Sequence, residues 1–278
     1  MKKLSRSTLR TLATRKGALR RDDVSSELRH ALNTGRLETK TLSEWLVVDH
    51  RTLLQCAARD AGIDDRIRDL LAGFQALEDE GITRRMRGVG ALLHQALAAH
   101  TDRDTAFNRL AGHNSDVVRS WAAYAVSAHP KLTMRSRLAK IRPFAADANM
   151  AVREAAWDAF RPWLDPGLEK HIPLLLPWVH DTDPNVRRCA VEATRPCGVW
   201  TAHLGPMKAN PALGLPLLEP VRADPSRYVQ NAVANWLNDA SKSAPDWVKS
   251  ICARWAKESS AKETAYIVRR AQRTLNKT

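Results

Sequence analysis

Apolar residues recur at helical spacing along nearly the whole chain. In stretches such as 42–54, 63–77 and 89–99 they fall at positions i, i+3 and i+4, and Ala, Leu and Arg dominate the sequence, which favours helix. No segment of strand length alternates Val, Ile or Thr with polar residues. The pattern therefore predicts an all-α protein.

Five segments share a motif in which a polar start is followed by Val-Arg, or a close variant, and then by small apolar residues. Each interval between the motifs leaves room for one further helix, for example over 168–180 or 247–257. A helix pair about every 40 residues is typical of HEAT-like repeats, in which each pair buries its apolar face by stacking on its neighbours. The motif valines are 34, 34, 43 and 39 residues apart: Val118, Val152, Val186, Val229 and Val268.

Prolines mark the expected helix boundaries in these repeats. Arg161-Pro162 and Arg195-Pro196 each begin nine residues after a motif valine, where a proline is expected to end a helix. Asp183-Pro184 and Asp224-Pro225 have the order of an N-cap residue followed by a proline at the first helical position. Each of these two pairs is therefore predicted to open a helix.

The motif is absent before residue 110. We predict an irregular N-terminal cap of three to five helices over 1–110, with a basic N-terminal arm, and HEAT-like repeats over 111–278 in one continuous domain. The expected architecture is a superhelical solenoid. The motif valines and the alanines after them are assigned to the core. The repeated arginines have three open roles, which are to face solvent, to bind the preceding carbonyls and acids, or to contact phosphate: Arg119, Arg153, Arg187 and Arg269.

The chain carries a large positive charge. Its 278 residues include 44 Lys and Arg against 30 Asp and Glu, which gives a formal charge of +14. Such a chain is attracted to DNA, RNA and acidic lipid. The most apolar stretch, 172–179, is short and holds two prolines, whereas a membrane span needs about 20 apolar residues. We therefore predict no membrane span.

Familiar catalytic and metal-binding motifs are missing from the sequence. The four cysteines are scattered and form no CxxC pair, so neither a disulfide scaffold nor a zinc site is predicted, and a reduced cytoplasmic protein is expected. Gly88-Val-Gly90 lacks the third glycine and the preceding strand of a nucleotide-binding loop. Nucleophilic-serine and zinc-protease motifs are also absent. No metal and no cofactor are predicted.

Three acids on the repeat helices form a regular pattern. Counted from the motif valine of their own repeat, Glu154 lies at +2, Glu192 at +6 and Asp239 at +10. A step of four residues rotates by about 40° on a helix and advances by about 6 Å. The three carboxylates are thus expected on one face, as a diagonal stripe that could converge on a concave surface.

Each acid also has an ordinary interpretation. Glu154 lies in a first helical turn, where the helix dipole favours an anion. Glu192 has Arg188 at i−4 and Arg195 at i+3, so a surface ion pair explains it equally well. Asp239 comes near a helix end with only a lysine at i+3 as local compensation.

Trp200 differs from most other tryptophans of the chain. It follows the second Arg-Pro pair, in a turn beyond the helix that carries Glu192. The others mostly fall at core spacing and are assigned to packing. An aromatic side chain in a short loop is a candidate for stacking on a base or a cation.

The C-terminal third contains the segments RRCAVEATRPCGVW over 187–200 and YVQNAVANWLND over 228–239. These segments resemble bacterial DNA alkylation repair proteins built from HEAT-like repeats, the AlkD/AlkC superfamily, and most closely its AlkC branch. The resemblance is strong over 183–278, fair over 115–182 and poor before 110. It implies a monofunctional DNA glycosylase that removes alkylated bases, such as 3-methyladenine, from double-stranded DNA without a metal.

The resemblance also implies roles for individual residues. Glu192 and Asp239 map onto the family's catalytic acids, Glu154 maps onto a third through VRE over 152–154, and Trp200 maps onto a lesion-stacking tryptophan. The carboxylates would stabilise positive charge on the sugar and position water. A monomer is expected, located in the bacterial cytoplasm and associated with the nucleoid when bound to DNA. Candidates for phosphate contacts are Arg153, Arg188, Lys242, Arg269, Arg270 and Arg273.

Two other functions remain open at this point. One is a non-catalytic HEAT-repeat protein that binds bent or branched DNA. The other is a protein-interaction scaffold, which is a common function of HEAT repeats. Fold class alone does not choose among the three.

Overall fold

The computed structural model describes residues 4–198 and 200–275. These residues form α-helices and short 3₁₀ turns and no β-strand, so the all-α prediction is confirmed. None of the described helices is both long and apolar enough to cross a membrane. The helices are α1 (Arg6–Ala13), α2 (Ser26–Asn33), α3 (Leu42–Trp45), α4 (His50–Ala61), α5 (Ile67–Gln75), α6 (Ile82–Ala98), α7 (Arg103–Ala111), α8 (Asp116–Ala128), α9 (Met134–Ala145), α10 (Met150–Leu164), α11 (Leu168–Val179), α12 (Pro184–Ala193), α13 (Gly205–Ala209), α14 (Leu215–Leu218), α15 (Arg227–Ala240), α16 (Pro245–Glu258) and α17 (Lys262–Ala271).

The chain divides into two compact units. The first unit comprises Met1–Lys131 and Ala148–Ala155, and the second comprises Leu132–Asp147 and Ala156–Thr278. Helix α10 contributes residues to both. Helices α1 to α7 all begin before residue 110, so the expectation of three to five helices there is wrong. Short polar breaks divide this region into more and shorter helices than its apolar periodicity indicates. The division into a cap and repeats stays a prediction.

The core of the first unit lies where α6 packs on α8 and α4 packs on α7. Leu53, Leu93 and Trp121 are fully buried there. Helices α6 and α8 approach closely at Gly90, where a Cβ atom would overlap Tyr124. The close packing of these two helices therefore requires a residue without a side chain at position 90.

In the second unit the motif helices stack in sequence. Helix α12 packs on α15 and α15 packs on α17, while α11 packs on α12 and α16 on α17. Val186 and Val229 are fully buried in these contacts, as predicted. In the last repeat the buried residue is Ile267, and Val268 is only half-buried. The predicted core position is therefore wrong by one residue in α17.

Two of the predicted helices and one predicted cap are confirmed. The helices expected over 168–180 and 247–257 are α11 and α16. Asp183 caps α12, because its Oδ1 accepts a hydrogen bond from the Asn185 N–H at 2.8 Å, and Pro184 is the first helical residue. Helix α12 ends at Ala193, before Arg195-Pro196, as expected.

Two predicted helix boundaries are wrong. Pro162 lies inside α10, which continues to Leu164, because a proline near the end of a helix removes one hydrogen bond without stopping the final turn at once. Helix α15 begins at Arg227 after the N-cap Ser226, two residues later than Asp224-Pro225 predicts. The Asp224 carboxylate accepts instead from Arg187 Nε at 2.6 Å and from the Ser226 N–H at 2.8 Å.

Three of the repeated arginines bind carbonyls of the turn before their helix. Arg119 Nη1 donates to the His113 carbonyl at 2.8 Å, Arg153 Nη1 to the Ala148 carbonyl at 2.7 Å, and Arg187 Nη1 to the Asp181 carbonyl at 2.9 Å. Carbonyls in turns that follow a helix lack a hydrogen-bond partner within that helix, so a side chain can bind them instead. Among the three open roles, the structural one is thus observed for these arginines.

Candidate functional site

Glu192, Arg195 and Asp239 come together in the second unit. Glu192 lies in the last turn of α12, Arg195 follows two residues after that helix ends, and Asp239 lies in the last turn of α15. Arg195 Nη1 donates to Glu192 Oε2 at 3.0 Å, and Arg195 Nη2 and Nε lie 2.6 and 2.8 Å from Asp239 Oδ2. One guanidinium therefore bridges the two predicted catalytic acids.

Both acids are nearly removed from solvent, since Glu192 and Asp239 are each 4% exposed. Burial alone would lower the pKa of Arg195, but the two carboxylates outweigh burial and raise the pKa of its guanidinium. The guanidinium thus stays fully charged.

Two more cations complete what we call the acid–arginine cluster, defined as Arg188, Glu192, Arg195, Asp239 and Lys242. Arg188 Nη2 lies 3.5 Å from Glu192 Oε1, and its guanidinium stacks over the Tyr228 ring at 4.2 Å from the centroid. Lys242 Nζ donates to Asp239 Oδ1 at 2.9 Å. The cluster holds three cations and two anions, so its formal charge is positive by one.

A second buried arginine fixes the loop that follows α12. Arg161 Nη1 donates to the Ala193 carbonyl at 2.7 Å, its Nη2 to the Arg195 carbonyl at 2.8 Å, and its Nε to the Ala202 carbonyl at 3.2 Å. Burial lowers the pKa of Arg161 to about 10, which still leaves it charged at neutral pH. Arg161 therefore holds both ends of the 193–202 loop and the backbone of Arg195.

Trp200 is presented to solvent by this loop. Its side chain is 52% exposed, and its ring lies 5.8 Å from the buried Trp157 ring at an interplanar angle of 31°. The loop is tight at Gly198, where a Cβ atom would overlap the Thr201 carbonyl. Trp200 thus lies in the loop after α12, as predicted, with an aromatic neighbour beneath it, and its stacking role stays a prediction.

A cavity of about 500 Å³ opens beside Asp239. His203 Nδ1 accepts the Gly198 N–H at 3.2 Å, so a neutral His203 carries its proton on Nε2. In the part of the chain that the structure describes, no group of three or more His, Cys, Asp or Glu side chains could hold a metal ion. The cavity is lined by Cys197, Gly198, His203, Lys208, Asp239, Lys242 and Ser243.

The third predicted acid, Glu154, belongs to the first unit. It lies in the early part of α10 and is half-buried. The structure thus brings two of the three predicted acids together around Arg195. The catalytic role of Glu154 stays a prediction.

The predicted phosphate contacts near the C-terminus cluster around Tyr266. The guanidinium carbons of Arg269 and Arg270 lie 5.8 and 6.0 Å from the Tyr266 ring centroid, and both side chains are exposed. Arg273 Nη2 donates to Asn235 Oδ1 at 3.0 Å. These arginines form a basic patch at the end of α17, and their contact with DNA stays a prediction.

Sequence reasoning missed the central roles of Arg195 and Arg161. As sequence, both belong to Arg-Pro pairs that indicate helix ends, and the two pairs hold the same position in their repeats. That repetition was the available signal. An arginine at this repeated position can bind carbonyls and acids of the following repeat, as Arg161 and Arg195 do.

The second unit also resembles known proteins. Residues 166–275 match the family model described as DNA alkylation repair enzyme. An uncharacterized protein of Bacillus subtilis, YhaZ, is 38% identical over 119 residues, which cover 43% of this chain and 33% of YhaZ. This match spans only a third of the length of that relative.

Two solved structures have a similar fold. The alkylpurine DNA glycosylase AlkC of Pseudomonas fluorescens, bound to DNA containing an abasic site analogue, matches with a TM-score of 0.67 and 26% identity over 81% of this chain and 62% of AlkC. AlkD2 of Streptococcus mutans matches with a TM-score of 0.50 and 23% identity over 78% of this chain and 96% of AlkD2. The predicted resemblance to the AlkD/AlkC superfamily is confirmed.

Proposed function

Since residues 166–275 match the DNA alkylation repair family and the fold is of the AlkD/AlkC type, we propose that this chain is a DNA glycosylase of that superfamily. Its proposed reaction is hydrolysis of the N-glycosidic bond of cationic alkylated bases, of the 3-methyladenine type, in double-stranded DNA.

The acid–arginine cluster carries the proposal. Glu192 and Asp239 share Arg195 between them, and Trp200 stands exposed five residues further along the same loop. Buried carboxylates are costly to keep charged unless they are paired. The pairing with Arg195 allows the Asp239 carboxylate to be kept beside an open cavity, where a positively charged ligand could reach it.

The chemistry that these residues can perform follows from the charge of the substrate. A base alkylated at N3 or N7 is already cationic, so it leaves without a general acid to protonate it. As the bond breaks, positive charge moves to the sugar. Asp239 lines the cavity, and its carboxylate would stabilise that charge and orient a water molecule.

Trp200 would act on the same charge from outside the cluster. A tryptophan face attracts a cation with about 0.5 to 2 kcal/mol, depending on exposure. Trp157, 5.8 Å away, supports the ring on one side. The exposed face of Trp200 is therefore proposed to stack on the lesion or the sugar.

Arg195 is proposed to act by fixing its neighbours. It holds both carboxylates in place before the substrate arrives, so little reorganisation is needed as charge develops. Its own backbone carbonyl is bound by Arg161 at 2.8 Å. Arg161 thus fixes the backbone of Arg195, and Arg195 in turn fixes the two acids.

The direct test is release of free base from double-stranded DNA that has been treated with a methylating agent. We expect base release by the wild type and a loss of at least about 100-fold in Glu192→Gln and in Asp239→Asn, the scale of removing one preorganised charge-stabilising group. Asp246→Asn is the matched control, since Asp246 pairs with an exposed lysine at i+3. DNA binding by the wild type without base release would refute the proposal.

One observation favours a second function, that of a non-catalytic DNA-binding protein. Both carboxylates are only 4% exposed and each is held by Arg195, so their negative charge is already compensated. A purely structural cluster would have these properties too. This alternative predicts binding that weakens steeply with salt and no abasic product, so the same assay separates the two functions.

A further inference from the structure

The two oxygens of Asp239 have different partners. Oδ2 is bound twice by Arg195, through Nε at 2.8 Å and Nη2 at 2.6 Å. Oδ1 is bound by Lys242 Nζ at 2.9 Å. The Arg195 side chain is 15% exposed and the Lys242 side chain 50% exposed. One oxygen therefore has a buried partner and the other a solvent-exposed one.

This difference decides which partner can leave. A guanidinium that donates a hydrogen bond through Nε and lies at ion-pair distance through Nη2, largely out of water, is held strongly. An exposed ammonium at i+3 is held weakly, because water solvates it well and its long stem has many conformations. Lys242 is thus the partner that a competing cation can displace, while Arg195 stays.

We propose that Lys242 occupies, before DNA binds, the position at Asp239 Oδ1 that a cationic nucleoside or sugar takes in the complex. This inference rests on the proposed function. It adds that Asp239 Oδ1 is the atom that contacts the positive charge and that the Lys242 ammonium is the group that must move away. Lys242 thereby becomes a specificity-determining residue, because only a ligand that is itself cationic replaces what Asp239 loses.

The charge of the acid–arginine cluster supports an exchange of cations. The cluster carries three cations and two anions. A cationic ligand that bound without displacing Lys242 would raise the charge from +1 to +2, whereas exchange leaves it at +1. The cavity of about 500 Å³ provides the space, and both Asp239 and Lys242 line it. The released ammonium is exposed and free to approach a DNA phosphate.

The test compares the binding of two duplexes that differ in one charge. One duplex carries a pyrrolidine abasic-site analogue, which is cationic, and the other carries a neutral tetrahydrofuran analogue. The measured quantity is the ratio of the two dissociation constants, neutral over cationic. A lost phosphate contact weakens both complexes equally and cancels in this ratio.

We expect the ratio to rise about two- to fivefold in Lys242→Gln, the scale of one exposed ion pair, because the competing cation is gone. Lys242→Arg keeps a cation and is expected to keep the wild-type ratio. Lys249→Gln is the matched control, since Lys249 makes the same i,i+3 pair with Asp246 at 3.3 Å, and it should leave the ratio unchanged. In an Asp239→Asn background, Lys242→Gln should have no effect. Thermal unfolding checks that each variant is folded.

A ratio that stays constant in Lys242→Gln, or falls, would overturn the inference and show that Lys242 only contacts phosphate or only stabilises the helix end. That result leaves the proposed function standing if the wild type releases base. A rising ratio together with no base release would refute the glycosylase proposal and keep the cation exchange. No binding of either duplex by the wild type would refute both.

Discussion

Two buried acid sites in this chain are stabilised in different ways. In the first unit, Asp116 is fully buried at the start of α8, and its carboxylate accepts the Thr39 N–H at 2.9 Å and the Thr39 hydroxyl at 2.7 Å. In the second unit, Glu192 and Asp239 are bound by the Arg195 guanidinium. Neutral hydrogen-bond donors thus stabilise the acid of the first site, and a cation stabilises the acids of the second.

The two sites also differ in the pKa shifts of their charged groups. Burial raises the pKa of Asp116 to about 6, although the hydrogen bonds from Thr39 oppose this. In the acid–arginine cluster, the carboxylates raise the pKa of Arg195 in spite of its burial. Asp116 thus links two segments that are 77 residues apart, but its burial disfavours the charged form of its carboxylate. The cluster instead pairs its carboxylates with arginine and lysine side chains.

Removing the central cation gives the largest expected effect. Arg195→Gln leaves two buried carboxylates without their shared partner, so we expect base release to fall by at least about 100-fold and the free energy of unfolding by about 3 kcal/mol. The counterpart in the first unit is Arg15→Gln, because Arg15 binds Glu44 at 3.0 Å through Nε. It should lower stability and leave base release by the folded protein unchanged.

Urea unfolding and single-turnover base release measure both quantities. Wild-type base release by Arg195→Gln would show that the cluster has no part in the reaction. If Arg15→Gln lost as much activity as Arg195→Gln, the loss in Arg195→Gln would come from lower stability alone and not from a role of Arg195 in the reaction.

The stability of the first unit should depend on pH through Asp116. Its folded pKa of about 6 exceeds the unfolded value of about 3.9, so the folded state binds the proton more tightly. This contribution is fully present below pH 4 and is lost as the pH rises through 6, by about 3 kcal/mol. Asp116→Asn should flatten the profile between pH 4 and 6. Unfolding curves that slope equally in wild type and variant would contradict this account.

Removing the exposed aromatic side chain should have an intermediate effect. Trp200→Ala is expected to reduce base release about tenfold, the scale of one cation–π contact, with little change in unfolding because the ring is half exposed. Trp163→Ala is the control, since Trp163 is 36% exposed and lies under the Arg137 guanidinium at 3.8 Å. An equal loss in both variants would assign Trp200 a packing role.

The basic patch at the end of α17 should give the smallest effect. Arg270→Gln is expected to weaken the binding of damaged and undamaged duplexes by the same few-fold factor and to reduce the slope of log K against log salt by about one. Arg51→Gln, which breaks an exposed pair with Glu78 in the first unit, should leave the slope unchanged. A loss confined to damaged DNA would place Arg270 at the lesion.

Local signals in the sequence predicted much of the fold. The Asp183 cap, helices α11 and α16 and the burial of Val186 all depend on residues within one helix or its first turn. Asp224-Pro225 does not mark a helix start because a tertiary contact changes the role of Asp224. Asp224 binds Arg187 across 37 positions of the chain, and this pairing has no local signature.

The candidate site was predicted only in part for the same reason. The positions of Glu192, Trp200 and Asp239 follow from the repeat and from the resemblance. The bridge that joins two of them depends on a contact between Arg195 and Asp239 across 44 positions. Helix spacing predicts that two acids share a face, but it does not predict which cation lies between them.

The central claim is that the acid–arginine cluster serves the excision of cationic bases. Single-turnover release of 3-methyladenine from double-stranded DNA tests it most directly, with wild type, Asp239→Asn and Asp246→Asn compared at saturating protein. The account predicts release by the wild type and Asp246→Asn, and a rate at least about 100-fold lower for Asp239→Asn. Equal rates in all three proteins, or no release by the wild type while it still binds the duplex, would contradict it.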